Sequence, residues 1–163
     1  MNRNGLFEKH HGDAVIGRQW ADGARFGSIK LGRYTKMEYR FDDKTLDAAS
    51  FLAFVNQVWP GNYDGDKVQA ALSKTLNITV YDGEKLVGCL RILTDGYFFG
   101  TITELLVLPE YRRQGIGSRL LRIAKEHTPT MLYFGSQPGM EAFYEKNGCR
   151  KSLQSYIIEK DRR

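Results

Sequence analysis

The residues that point most directly to chemistry follow a predicted strand that ends at Pro109. Arg112 and Arg113 come next, and Gly115 and Gly117 stand at the start of a predicted helix. The first turn of a helix has unpaired N–H groups and carries partial positive charge. The glycines let a ligand approach the backbone, and the arginines add positive charge beside it. This pattern predicts a site for a phosphate or pyrophosphate group.

Two other phosphate-binding motifs fit this loop less well. A dinucleotide-binding fingerprint needs a third glycine where this chain has Leu120, and the Gly-Lys-Ser/Thr of a P-loop is absent from the sequence. On its own, Gly-x-Gly before a helix also fits a tight turn that binds nothing. The elements around the loop therefore have to decide between the two interpretations.

Hydrophobic periodicity and turn residues predict those elements. Their order is β-α-α-β-β-β-α-β-α-β, which predicts an α/β fold with a mixed (α+β) sheet and helices packed against it. Asp82-Gly83 is the strongest hairpin signal, and Asp66 is expected to cap the second helix. The predicted strands cover residues 37–41, 77–81, 85–93, 98–108, 131–134 and 153–159, and the predicted helices cover residues 46–59, 67–76, 115–127 and 140–146.

Two motifs within these elements resemble those of a known superfamily. Val107-Leu-Pro109, then Arg112-x-x-Gly115-x-Gly117 and an amphipathic helix, resemble the acyl-CoA-binding signature of the GCN5-related N-acetyltransferase (GNAT) superfamily. Glu141-Ala-Phe-Tyr-Glu-Lys-Asn-Gly-Cys149 resembles its late motif, and the likeness covers about residues 37–160. It implies the GNAT fold, a mixed, mostly antiparallel sheet flanked by about four helices. It also implies an acetyl-CoA-dependent N-acetyltransferase, with acetyl-CoA (coenzyme A) as acyl donor and no metal.

The resemblance further implies which residues hold the donor. In the superfamily, the strand before the loop separates from its neighbour, and its free backbone groups pair with the pantetheine arm and the thioester oxygen. The pyrophosphate lies on the loop and the first helical turn. Many relatives have an asparagine where this chain has Gln137, which either replaces that amide contact or loses it. The implied donor-binding residues are Leu105, Leu106, Val107, Arg112, Arg113, Gln114, Gly115, Ile116, Gly117, Ser118 and Gln137.

Two residues are candidates for proton transfer. An alkyl amine is mostly protonated at neutral pH and must lose a proton before it attacks. Strand alternation places Glu104 on the same face as Leu106, so it is the candidate general base, acting directly or through water. Glu104 could instead bind the substrate cation or pair with a neighbouring strand. Tyr144 matches the late-motif tyrosine, which implies a general acid for the departing thiolate; the alternative is a packed aromatic.

The acceptor side is less sharply defined. In the superfamily, specificity comes from the first two helices, the loop between them and the loops at strand ends. Here those segments are aromatic and acidic, which favours a cationic, partly apolar small-molecule amine, although ordinary surface turns have the same residue types. Peptide or protein N-acetylation and a non-catalytic acyl-CoA-binding regulatory domain stay open. The candidate contacts are Trp59, Tyr63, Tyr97 and Phe99, with Asn62, Asp64, Asp66 and Phe98 beside them.

Composition narrows the range of partners. The 163 residues are 42% hydrophobic and 26% charged, as expected for one globular domain. Most of the net charge of +5 falls in residues 1–36, a Gly-rich basic arm of unknown role with seven basic and three acidic residues. Residues 37–163 are predicted to form the acetyltransferase domain and are nearly neutral, which argues against a nucleic-acid partner. No apolar run is long enough to predict a membrane span.

Metal and nucleophile chemistry have little support in the sequence. His10 and His11 are adjacent rather than at ligand spacing, and no Gly-x-Ser-x-Gly motif occurs. Cys89 and Cys149 lack a CxxC spacing, which predicts reduced thiols in a cytoplasmic protein. The expected partner is a small-molecule amine, and a homodimer stays open.

Overall fold

The computed structural model describes residues 37–152 and 155–158. The predicted arm over residues 1–36 lies outside the described residues, as do residues 153–154 and 159–163. The strands are β1 (Glu38–Arg40), β2 (Leu76–Asp82), β3 (Lys85–Thr94), β4 (Gly100–Val107) and β5 (Leu132–Tyr133). The helices are α1 (Ala48–Val55), α2 (Gly65–Leu72), α3 (Ile116–His127) and α4 (Glu141–Lys146), and a 3₁₀ helix covers Pro109–Tyr111.

The five strands of the described residues form one sheet in the order β1-β2-β3-β4-β5. The pairs β1–β2, β2–β3 and β3–β4 are antiparallel, whereas β5 runs parallel to β4. Gly83 has a φ of +61° in the tight turn between β2 and β3, as the Asp82-Gly83 pair predicts. A parallel pair needs a long crossover, and α3 lies in the connection from β4 to β5. The predicted α/β fold with a mixed, mostly antiparallel sheet is confirmed.

Helices cover both faces of this sheet. On one face, a Cβ at Gly88 would lie 3.1 Å from a methyl of Ile116, so α3 packs closely against β3. Side chains alternate along a strand, so Cys89 and Arg91 point to the opposite face. There the guanidinium of Arg91 lies 5.3 Å from the centre of the Phe51 ring of α1. The largest fully buried side chains include Phe54, Leu72, Ile78, Val80, Val87, Leu90, Ile92, Leu108 and Leu120.

Both helices of the first pair begin at an aspartate. Asp47 accepts a hydrogen bond from the amide of Ser50 at 2.7 Å, and Asp64 accepts one from the amide of Lys67 at 3.1 Å. These N-caps satisfy amides that have no acceptor within the helix. The prediction that Asp66 caps the second helix is wrong. Asp66 lies inside the first turn of α2, where its charge complements the helix dipole.

The same two helices are shorter than the periodicity predicts. The helix predicted over residues 46–59 ends at Val55, and the one predicted over 67–76 ends at Leu72. After each end the amides bond to carbonyls three residues back, Val58 to Val55 at 3.0 Å and Thr75 to Leu72 at 3.3 Å. The chain thus tightens into a turn, and Leu76 becomes the first residue of β2.

The prediction of a strand over residues 153–159 is wrong for residues 155–158, the part of it that the structure describes. Residues 155–158 are not in a strand, and the side chains of Tyr156, Ile157 and Ile158 are exposed. These residue types favour a strand, but a strand also needs a partner for its backbone groups. Residues 153, 154 and 159 lie outside the described part of the chain.

Candidate active site

The site begins where β4 and β5 separate. The two strands pair only at Gly100 with Leu132 and at Thr101 with Tyr133. β5 ends there, whereas β4 continues to Val107. The second half of β4 therefore has β3 on one edge and, among the described residues, no strand on the other.

The backbone groups on this open edge follow from the register with β3. The amide of Leu108 donates to the carbonyl of Val87 at 2.9 Å, so Leu108 faces β3. Alternate residues of an antiparallel strand face alternate edges. Leu106 accordingly turns its N–H and C=O toward β3, whereas Leu105 and Val107 turn theirs toward the open edge. Within the predicted donor-binding segment, two residues rather than three thus present free backbone groups.

Arg112 uses one of these groups. Its Nε donates to the carbonyl of Val107 at 3.1 Å, which fixes the arginine against the end of β4. The N–H groups of Leu105 and Val107 and the C=O of Leu105 remain on the open edge. Arg112 was predicted beside a pyrophosphate, and the structure shows that it also holds the strand end that leads into the loop.

Side chains fasten the loop after β4 to the β2–β3 hairpin. The hydroxyl of Tyr111 donates to Asp82 at 2.9 Å, and the Nζ of Lys85 lies 2.8 Å from a carboxylate oxygen of Glu110. The side-chain amide of Gln114 donates to the carbonyl of Glu110 at 3.1 Å. The loop is therefore held in place before the first turn of α3 begins.

The two glycines of the loop motif have different roles. Gly115 has a φ of +80° and lies two residues after Arg113, whose φ of +61° is uncommon outside glycine. Nothing lies within 4 Å of a Cβ built on Gly115, so its backbone borders open space. At Gly117 a Cβ would lie 3.2 Å from the ring of Phe143. Gly115 thus permits the turn and ligand approach, whereas Gly117 also admits Phe143 of α4.

The first turn of α3 leaves its amides available. The amide of Arg119 donates to the carbonyl of Gly115 at 3.0 Å, and this is the first bond of the helical ladder. The amides of Ile116, Gly117 and Ser118 come before it, where a helix has no internal acceptors. The side chain of Ile116 is buried and anchors the helix start to the core. The start of α3 thus combines a turn, free amides and partial positive charge. Together these features form an anion cradle, a site suited to a phosphate group.

Glu104 is paired across the sheet with Arg91. The two residues are register partners on β4 and β3, and the Nη1 of Arg91 forms an ion pair with the Oε1 of Glu104. Each side chain is only 12% exposed. The Nε of Arg91 also donates to the hydroxyl of Thr75 at 3.3 Å, and that hydroxyl donates to the Oδ1 of Asn77 at 2.9 Å. Of the alternatives for Glu104, pairing with a neighbouring strand is therefore observed.

The sequence analysis missed Arg91 and Thr75. The signal available in the sequence was an arginine and a glutamate on neighbouring predicted strands. Recognising them as a pair requires the register of β3 against β4. A bulge between Arg91 and Ile92 shifts that register, because Ile92 pairs with Ile102 and leaves Thr103 without a partner on β3. Hairpin length alone would not place the arginine opposite Glu104.

Tyr144 lies on the other side of the strand opening. Its ring is 4.8 Å from that of Phe134, which directly follows β5, and 5.1 Å from that of Phe143. Burial raises the pKa of the Tyr144 hydroxyl, with a smaller contribution from Cys149. The hydroxyl makes no hydrogen bond to any residue that the structure describes. Gln137 is exposed in the segment between β5 and α4, and its carbonyl accepts a bond from Met140 at 3.0 Å.

The predicted acceptor residues fall into two groups. In the α1–α2 connection, Tyr63 donates to the carbonyl of Trp59 at 2.8 Å, and Trp59 is 45% exposed. In the β3–β4 connection, Tyr97 is 78% exposed, whereas the Phe99 ring stacks on that of Tyr133 at 5.3 Å. No ring contact joins the two groups within the described part of the chain. The two groups of aromatic residues are therefore held by separate contacts.

The acidic residues beside these aromatics have structural partners. Asp64 caps α2, as described above. One oxygen of Asp95 accepts hydrogen bonds from the amides of Tyr97, Phe98 and Phe99 at 2.9 to 3.0 Å and shapes the β3–β4 turn. A cationic substrate would therefore find few unengaged carboxylates at these turns.

Other chemistries find few residues in the described part of the chain. Residues 37–152 and 155–158 contain no group of three or more His, Cys, Asp or Glu side chains arranged to hold a metal ion. Cys89 and Cys149 are both free thiols, and burial raises the pKa of each. None of the described helices is both long enough and apolar enough to cross a membrane.

Comparison with known proteins shows which family part of this chain resembles. The sequence model of the acetyltransferase (GNAT) domain matches residues 74–150, which include β4, the loop, α3 and α4. These residues are thus similar to a GNAT acetyltransferase domain. A candidate acetyltransferase from Gibberella zeae is 32% identical over 78 residues, covering 39% of this chain and 44% of that protein. This chain thus spans less than half the length of this curated relative.

Solved structures share the fold of the GNAT domain. A GNAT-family acetyltransferase from Streptococcus pneumoniae has a TM-score of 0.60 at 24% identity, covering 77% of this chain and 99% of that one. The aminoglycoside N-acetyltransferase AAC(6')-Iy, in a structure with CoA, has a TM-score of 0.60 at 14% identity, covering 80% and 98%. At these identities the likeness shows the fold alone, and it agrees with the mixed sheet described here.

Proposed function

We propose that this protein is an N-acetyltransferase that moves an acetyl group from acetyl-CoA to a primary amine of a small molecule. The observation that carries the proposal is the open edge of β4, which runs directly into an amide-lined loop and helix start. An extended, polar donor with a pyrophosphate requires this combination of a strand edge and an anion cradle. The GNAT domain match and the shared fold support the same reaction class.

The open edge would hold the donor by backbone hydrogen bonds. The N–H groups of Leu105 and Val107 and the C=O of Leu105 match the amides of a pantetheine arm, as a further strand would. One of these N–H groups would hold the thioester oxygen and stabilise negative charge on it during attack. A single oxyanion donor of this kind contributes about 3 kcal/mol in other acyl-transfer enzymes. The pyrophosphate would lie on the amides of residues 113–118.

Glu104 and Tyr144 would move the protons. Glu104 accepts a proton from the ammonium group, directly or through water, and the neutral amine then attacks the thioester carbonyl carbon. The C–N bond forms, and the positively charged nitrogen of the tetrahedral intermediate releases a proton to water. The intermediate then collapses, and the C–S bond breaks. Tyr144 donates its proton to the departing thiolate. Arg91 holds the Oε1 of Glu104 in an ion pair, so the Oε2 atom is the one left for the substrate side.

A peptide or protein amine is a second candidate acceptor. The observation that favours it is the exposure of Trp59 and Tyr97 on the surface. An open surface of this kind suits a polypeptide better than a small amine that must be enclosed.

The test is release of CoA thiol from acetyl-CoA in the presence of polyamines, aminoglycosides, arylalkylamines, amino acids and lysine-containing peptides. Acetylation of a small amine, with one N-acetyl product formed for each thiol released, supports the proposal. Activity confined to the peptides supports the second candidate. Binding of CoA with no acetylation of any acceptor in the panel contradicts both and favours a regulatory domain.

A further inference from the structure

The ion pair between Arg91 and Glu104 places two opposite charges side by side on one face of the sheet. The Nη1 of Arg91 contacts the Oε1 of Glu104, and each side chain is only 12% exposed. The function proposed above uses Glu104 as the base, with Arg91 as its support. It leaves unassigned what the pair recognises in the acceptor.

The guanidinium of Arg91 is held in place by contacts that use only part of its donors. Its Nε donates to the hydroxyl of Thr75 at 3.3 Å, and that hydroxyl donates to Asn77 at 2.9 Å. The centre of the Phe51 ring lies 5.3 Å from the guanidinium carbon. An arginine stays charged and has more N–H groups than these contacts use. Among the described residues, its Nη2 donates to no acceptor.

Each member of the pair thus keeps one charged atom without a hydrogen bond. These atoms are the Nη2 of Arg91 and the Oε2 of Glu104, as judged within residues 37–152 and 155–158. Neither atom is both unbonded and sealed from solvent. A ligand can therefore reach one positive and one negative group next to each other.

We propose that the acceptor is a free α-amino acid, whose ammonium group binds the Oε2 of Glu104 and whose carboxylate binds the Nη2 of Arg91. The inference rests on the proposed function, because it takes Glu104 as the group that receives the ammonium proton. An α-amino acid has both charged groups on one carbon, so it can meet two adjacent opposite charges at once. The products are then an N-acetylamino acid, CoA and one proton.

A lone ammonium group fits the pair less well. The positive charge of Arg91 offsets the negative charge of Glu104, so the pair attracts an isolated cation only weakly. The acceptor turns do not compensate, because Asp64 and Asp95 already accept backbone hydrogen bonds. A polyamine, a peptide N-terminus and a peptide lysine all lack a carboxylate beside the reacting amine. The charge pattern therefore favours a free amino acid over these acceptors.

Steady-state thiol release at saturating acetyl-CoA tests the inference, with the common proteinogenic amino acids as acceptors. The best acceptor among them is then compared with its carboxamide and with the amine that lacks the carboxylate. We expect kcat/KM to be at least about tenfold lower for each analogue, because each loses a charge-assisted hydrogen bond.

The carboxamide is the sharper of the two comparisons. A carboxylate stabilises a neighbouring ammonium group, and an uncharged carboxamide does not, so the carboxamide loses its ammonium proton more readily. Intrinsic reactivity therefore favours the carboxamide, and only recognition of the carboxylate favours the amino acid.

Arg91→Gln tests which side chain recognises the carboxylate. The variant removes the guanidinium charge, so kcat/KM for the amino acid and for its carboxamide should become nearly equal. This ratio does not depend on how much of the variant is folded or on a general loss of rate. Arg40→Gln is the matched control, because Arg40 also pairs with a glutamate, Glu38, but does so on the exposed strand β1. It should keep the wild-type ratio.

The outcomes separate this inference from the proposed function. If other small amines are acetylated but no amino acid is acetylated at its α-nitrogen, the inference is overturned and the proposed function stands. Equal kcat/KM for the amino acid and its carboxamide on the wild-type protein also overturns it. A preference that persists in Arg91→Gln overturns the assignment to Arg91. If no acceptor is acetylated, the proposed function fails and the inference fails with it. The wild-type comparison stands even if Arg91→Gln does not fold.

Discussion

The two ends of β4 are built by different means. At its first residues, β4 pairs with β5 and is flanked by exposed aromatics of the β3–β4 connection. At its last residues, β4 has an open edge and leads into a loop fixed by Tyr111, Arg112 and Glu110. The proposed donor end thus depends on backbone groups held by the loop, whereas the proposed acceptor end depends on surface side chains.

This difference explains which part of the site a sequence can specify. A donor that is the same throughout a superfamily can be bound by backbone groups. The glycines of the loop motif then indicate where the backbone must adopt an unusual conformation to do so. Acceptor residues on exposed turns are free to vary without disturbing the sheet. Substitutions at the donor end should therefore affect binding and stability together, and those at the acceptor turns should affect neither strongly.

The largest effect is expected at the proton-transfer residues between the two ends. Glu104→Gln and Tyr144→Phe should each lower kcat about 100-fold or more, because general acid–base catalysis contributes at least that much. The measurement is thiol release at saturating acetyl-CoA with an acceptor found in the panel. Tyr156→Phe, at a 94% exposed tyrosine, is the control and should leave kcat unchanged. Unchanged rates in both variants would refute these roles.

The next largest effect is expected at the largely buried ion pair between Arg91 of β3 and Glu104 of β4. Arg91→Met should lower the free energy of unfolding by about 3 kcal/mol, because it leaves the Glu104 carboxylate buried without its partner. Urea denaturation measures this loss. The double variant R91M/E104L removes both charges and should recover most of the stability. A double variant no more stable than Arg91→Met would contradict the pairing account.

A comparably large effect on stability is expected at Asp43, which is hydrogen-bonded to side chains of β2. Burial raises the pKa of Asp43, but hydrogen bonds from Thr45, Thr79 and Tyr81 outweigh it and leave that pKa below its usual value. A carboxyl with a lowered folded pKa stabilises the protein above its unfolded pKa and loses that contribution as the pH falls through the folded pKa.

Asp43→Asn should therefore cost about 2 kcal/mol at neutral pH, by weakening buried hydrogen bonds. The loss should shrink in acid, where the wild-type carboxyl is itself protonated. Thermal denaturation between neutral and acidic pH checks both statements. CoA affinity should not change, since Asp43 supports β2 and not the donor end. If the difference in stability between the wild-type protein and Asp43→Asn stayed the same at all pH values, ionisation of Asp43 would not contribute to stability as described.

The smallest effects distinguish the two glycines of the loop. Gly115→Ala should cost about 1–2 kcal/mol, because its positive φ is unfavourable for a residue with a Cβ. Gly117→Ala should also destabilise the protein, but by contact with Phe143, so Phe143→Leu should relieve it. Denaturation of the single and double variants tests this. Relief of Gly115→Ala by Phe143→Leu would contradict the division of roles.

The fold and the loop between β4 and α3 were largely predictable from the sequence, for physical reasons. Runs rich in Thr, Ile, Leu and Val predict β2, β3 and β4, and the Asp82-Gly83 turn fixes the hairpin between the first two of them. The position of Arg91 opposite Glu104 could not be predicted, because the bulge at Thr103 depends on how the whole sheet packs. The close approach of Phe143 to Gly117 could not be predicted either, because α4 is distant from Gly117 in sequence. The N-cap of α2 was mispredicted because Asp64 and Asp66 lie two residues apart and either residue type can cap a helix.

The central claim is that the donor lies along the open edge of β4 and over the start of α3. Amide hydrogen exchange of the wild-type protein, with and without saturating acetyl-CoA, tests it most directly. The account predicts increased protection at the amides of Leu105, Val107 and residues 116–118, and none along β2. Saturable binding without protection at these amides, or no binding of acetyl-CoA at all, would contradict it.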